Sequence, residues 1–256
     1  MVFVSPAQNY IDQIDLVPQV GERRTQELCV MSLVAVLAGE RHSDRPTTAC
    51  PVITAFAIRI NDAIDCDSRQ DLKPMAVRIM GTNDGHERDR AWVLSREAVN
   101  DVFARVMEDA GAPGDVVADL PRLPQDIDYK FDIKGLSSDL SAIGRANNVP
   151  RGLLFDIRYM LRALTRGSDE LVASAAANLM LDSARLNGIA VAQNPYWTKA
   201  IDMFSQLCAI GEAERAPVPV HEERLMADVN RGRVADGDHP VLFWLFPGLR
   251  KTPKTA

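Results

Sequence analysis

The chain is short of several things. It has only four cysteines in 256 residues, Cys29, Cys50, Cys66 and Cys208, and no C-x-x-C pair. That excludes the usual zinc-ribbon spacing, and free thiols in a reducing, cytoplasmic setting are expected. The first residues, MVFVSPAQNYIDQID, lack the basic start and long apolar stretch of a secretory leader. No apolar run approaches a bilayer span. Positive charge is also in deficit, with 29 Lys and Arg against 35 Asp and Glu and a net charge of −6. A protein whose whole surface grips nucleic acid or anionic lipid is thereby disfavoured, although a local basic patch is compatible with that balance. G-x-x-x-x-G-K, G-x-G-x-x-G and G-x-S-x-G are all absent, so the standard phosphate-loop, dinucleotide and serine-hydrolase readings fall away. No repeat of fixed period is visible.

What is present is helical pattern. Leu28 to Ala38 reads LCVMSLVAVLA, in which only Ser32 is polar, and Gly39 follows. Eleven residues rise about 16 Å, too short for a membrane. A helix apolar all round must be packed on every side, so this stretch, starting near Glu22, is expected to be the central helix of the core, over 22–38. Ile53, Phe56, Ala57, Ile60 and Ile64 form one face of a second helix opened by Pro51. Arg59, Asn61 and Asp62 interrupt that face near its end, as groups that clamp a neighbouring helix would. A third helix is expected from Ser68, with Asp71 in its first turn, and a fourth over about 90–110, closed by Gly111. Residues 111–135 hold no sustained period. Further helices follow from Leu136, from Pro150 to before Gly167, from Ser168 to Gly188, and from Asn194-Pro195 through Cys208; a short one is expected over 222–229. The fold class is therefore all-α, an irregular bundle of seven to nine helices. Its expected organisation is an N-terminal lobe over 1–110, a linker or wrapped arm over 111–135, and a C-terminal lobe over 136–256 ending in an aromatic tail.

Three groups of residues could carry function. The loop after the central helix offers Glu40, His42, Asp44 and Cys50, a donor set suited to a divalent metal, with the thiolate favouring zinc. Arg151, Arg158, Arg162 and Arg166 recur at helical spacing and share a face, where guanidinium forks could take an anionic ligand or an acidic partner. Val241 to Phe246, VLFWLF between two prolines, brings Phe243, Trp244 and Phe246 into one short piece that must dock somewhere, at home or on a partner.

CVMSLVAVLAGE, HSDRP, CPVI and IND, between Cys29 and Asn61, together resemble a pattern of uncharacterised bacterial helical proteins. The resemblance draws attention to the loop over 40–50 and carries over no activity. The expected function is a cytoplasmic helical binding or regulatory protein without catalysis, acting on a protein partner or on itself, with no membrane and no nucleic acid. The alternatives are a metal-dependent enzyme built on Glu40, His42, Asp44 and Cys50, and an assembly subunit using the aromatic tail.

Overall fold

The computed structural model describes residues 11–22, 27–189 and 193–221. Three two-residue strands lead in: β1 (Asp15–Leu16), β2 (Gly21–Glu22) and β3 (Glu27–Leu28). β3 lies in the middle, parallel to β1 with Leu16 opposite Leu28, and antiparallel to β2 with Gly21 opposite Leu28. The expected helix start at Glu22 is thus a correction. Glu22 and Glu27 are paired as strand residues, and the helix α1 spans Val30–Leu37. Cys29 caps it, its sulfur accepting from the Ser32 N–H at 3.2 Å.

All eight residues of α1 are buried, as a helix without a polar face requires. Its polar groups are accounted for. The Ser32 hydroxyl donates to the Val20 carbonyl at 2.9 Å, and the Val30 N–H donates to Asn61 Oδ1 at 3.2 Å. At the other end Ala38, Gly39 and Glu40 donate to the carbonyls of Val34, Val36 and Ala35. The last carbonyl, that of Leu37, is met by the His221 N–H at 2.8 Å. Gly39 has φ +72°, and a Cβ there would lie 2.5 Å from the His221 ring, so only glycine permits both the turn and the crossing chain.

Eight more helices follow among the described residues. α2 is Pro51–Ala63. α3 is built from Cys66–Arg69, a 3-10 turn Gln70–Leu72 and Lys73–Ile79. α4 runs as Glu87–Glu97, a π turn Ala98–Val102 and Phe103–Asp109. α5 is Gly114–Ala118, α6 Ile133–Ala146, α7 Arg151–Thr165, α8 Asp169–Asn187 and α9 Pro195–Ala209. The cap of α3 is Asp65, which accepts from the Ser68 N–H at 2.9 Å, rather than Ser68 itself. No helix among the described residues is long and apolar enough to cross a membrane.

α8 is the hub. It packs along α7 and α2 and touches α4 and α9. Ala173, Ala175, Ala176 and Ala177 are buried on it and let those helices approach closely. One apolar cluster runs from Ile11 to Cys208. The stretches expected as two lobes therefore share a core. Residues 120–125 lie along α4: Asn100 exchanges two hydrogen bonds with the Leu123 backbone at 2.9 Å, and Trp92 Nε1 donates to the Pro124 carbonyl. Leu120 and Leu123 of this wrapped arm are buried.

Candidate functional site

α7 forms for an evident reason. Leu153, Leu154, Ile157, Leu161 and Leu164 supply a buried stripe at helical spacing, and Pro150 precedes the first turn. The opposite face carries the predicted arginines. Arg151, Arg158, Arg162 and Arg166 are all exposed, and none forms a salt bridge among the described residues. Two aromatic residues share their arc: Phe155 is 65% exposed and Tyr159 40%. Their rings stack with centroids 5.8 Å apart at 14°. At about 100° per residue the four guanidinium groups and both rings fall within about 100° of the helix circumference.

Beside this face, α6 and α7 run antiparallel through a short turn. A cavity of about 430 Å³ opens between the start of α6 and the end of α7, lined by Lys134, Ser137, Thr165, Arg162 and Arg166. A second cleft, about 450 Å³, continues from it past Lys130 and Tyr129, the latter 80% exposed. The acids there have local tasks. Asp132 accepts from the Gly135 N–H at the α6 cap, Asp128 accepts from the Lys130 N–H, and Asp169 holds Arg88 at 2.9 Å. Lys134, Arg162 and Arg166 line the first cavity with no acidic side chain in its wall, and apolar area lies alongside. Guanidinium groups left in water keep their forks free for carboxylate or phosphate.

The loop after α1 carries Glu40, His42 and Asp44 and leads to Cys50 at the start of α2. Glu40 closes it: its carboxylate accepts from the Thr47 N–H at 2.7 Å, the Thr47 hydroxyl at 2.9 Å and the Thr48 N–H at 2.9 Å. His42 and Asp44 are half-buried, and Cys50 is fully buried at the start of α2. Burial pushes the Cys50 thiol up, against the pull of nearby Arg90. No three His, Cys, Asp or Glu residues among those described are grouped to hold a metal. The expected donor set is not brought together.

Of the residues near the end of α2, Asn61 clamps α1. Asn61 is buried, takes the Val30 N–H and donates to the Val17 carbonyl at 2.9 Å, while Asp62 accepts from the Gln19 N–H at 2.7 Å. Arg59 stays exposed. Phe243, Trp244, Phe246 and the helix expected over 222–229 lie outside the described residues.

Sequence reasoning missed Lys130, Lys134, Tyr129, Phe155 and Tyr159 as parts of the basic face. The signal was available for two of them. Phe155 and Tyr159 fall between the arginines and off the leucine stripe, where an apolar ring has no core to enter. Comparison with family models, with curated proteins and with solved structures finds no match for this chain.

Proposed function

We propose that this is a non-catalytic, cytoplasmic binding protein whose α7 face takes hold of an acidic partner protein. The observation that carries the reading is the row Arg151, Arg158, Arg162 and Arg166, exposed and without an ion pair among the described residues, interleaved with two exposed rings. Arginine and aromatic residues together are what interface hot spots are made of. The net charge of −6 favours a short acidic protein segment over a long polyanion, which would meet repulsion away from the patch. Four free cysteines agree with a reducing compartment.

The test is fluorescence anisotropy with a Glu-rich peptide bearing two leucines, and with a single-stranded oligonucleotide, across a salt series. The peptide should bind at low ionic strength and weaken steadily with salt. Arg158→Glu with Arg162→Glu, two exposed changes, should abolish it. Tighter binding of the oligonucleotide would replace the protein partner with nucleic acid, and no binding of either would remove the reading.

A further inference from the structure

At the α6–α7 turn, the opposite end of that helix pair from the basic cavity, lies a cleft of about 380 Å³ lined in part by Asn148 and Pro150. Its apolar walls include Val106 from α4, Leu153 from α7 and Leu186 from α8, the last 62% exposed at the rim. Its polar lining is unusual. Asp109, the last residue of α4, accepts on Oδ2 from the Tyr196 hydroxyl at 2.7 Å and from Asn187 Nδ2 at 2.9 Å. Its Oδ1 takes no donor among the described residues. Because its amide nitrogen is held by Asp109, Asn187 is left with Oδ1 buried and unpartnered. One helical turn back, Ser183 is 3% exposed and its hydroxyl is also unpartnered among the described residues.

Buried polar atoms without partners are rare in a settled fold and ask for an explanation. Here two lie on one face of α8 and line one cleft, and a carboxylate is fixed beside them. The three oxygens can accept, and only Ser183 can also donate. Asp109 is the one ionisable carboxylate in the lining, and no cationic side chain lines the cleft with it. The ends of α4 and α8 add weak negative character through their C-terminal carbonyls, partly offset by the starts of α7 and α9. Burial and the bond to Asp109 keep the Tyr196 phenol protonated, so it stays a donor that aims the carboxylate.

We propose that this cleft binds a primary ammonium group on a short aliphatic stem. The head sits on the exposed carboxylate of Asp109, a small side-chain shift brings the buried Asn187 and Ser183 oxygens to it, and the methylenes lie against Val106, Leu153 and Leu186. An ammonium supplies three N–H donors for three acceptors and neutralises the carboxylate, while the stem covers apolar wall. The group can come from a free alkylamine or from the side chain of a lysine on another protein.

Backbone NMR shifts at residues 183–188 of the full chain, followed during titration, test this. The probes are butylamine, cadaverine, a capped lysine, pentanol and pentanoate. The amines or the capped lysine should produce saturable shifts, and the tighter of the two identifies the source. Pentanol and pentanoate should not. Asp109→Asn should weaken amine binding by about tenfold, the loss expected for a charge-assisted bond. Leu186→Lys, a change at the exposed rim, should abolish it, and Ser183→Ala should weaken it less. Absence of saturable shifts with every amine would overturn the proposal, as would equal binding of pentanoate. So would full binding by Leu186→Lys, which remains decisive if Asp109→Asn fails to fold.

Discussion

Arg90 is fully buried, yet each of its five N–H groups has an acceptor: both oxygens of Asp84 at 2.6 and 2.8 Å, and the carbonyls of Thr82, Leu207 and Ile210. Two separate parts of the chain, 82–84 and 207–210, meet on one side chain. Truncation to Ala should destabilise the protein by about 3–5 kcal/mol in denaturant unfolding, because Asp84 is left buried with only the longer contacts from Arg215 at 3.3 Å and the His86 N–H at 3.4 Å. Lysine should not restore the loss, since an ammonium cannot fork to both carboxylate oxygens while reaching three carbonyls. Burial opposes ionisation of Asp84, but the Arg90 bonds and charge prevail and hold its carboxyl below the usual range. That stability is present above the ordinary aspartate pKa and is lost as pH falls through the depressed one. Asp156 has the opposite sign. Burial, and then the charge of Asp182, raise it from 3.8 to about 6. The native state then binds the extra proton, so its contribution is full below 3.8 and lost as pH rises through about 6. Asp156→Asn should therefore stabilise at pH 7 by about 1–3 kcal/mol, with the gain vanishing toward pH 4. Thermal melts across pH check both signs. Neither residue was legible in the sequence as a structural centre. Leu207 lies 117 positions from Arg90, and nothing in a local window announces such a partner.

At the scale of the element, long periodic helices could be read directly, and α7, α8 and α9 begin and end close to their sequence signals. Shorter features could not. A two-residue strand has no period, so β2 and β3 passed for the start of α1. The wrapped arm shows a similar limit: its path is fixed by Asn100, whose amide mimics a backbone partner for Leu123. Replacing Asn100 by Ala should release residues 120–125 from α4. Faster amide hydrogen exchange at Leu123, with α7 and α8 unchanged, is the expected reading. The basic face was legible in its arginines because helical spacing alone aligns them. Lys130 and Lys134 were not, because a turn between antiparallel helices carries them there.

For the whole molecule, one core joins what proline and glycine content divides. The composition of 111–135 reports an irregular backbone path, and it cannot report whether buried side chains continue beneath it. Since α8 seals α2 and α4, the protein should unfold in a single cooperative transition, with tryptophan fluorescence and far-UV circular dichroism superimposable. Residues 1–110 expressed alone should fail to give a cooperative melt, because the face of α2 that α8 covers would stand in water.

The bond from His221 to the end of α1 bears on how the chain is born. Translation delivers α1 well ahead of its last partner, since the group that completes its final turn emerges nearly two hundred residues later. At ordinary ribosomal speeds of about 5–20 residues per second, that wait is on the order of ten to forty seconds. Through that interval the greasiest helix of the molecule lacks its last tie, and a nascent chain stalled before residue 221 should be a better client for chaperones than the released protein.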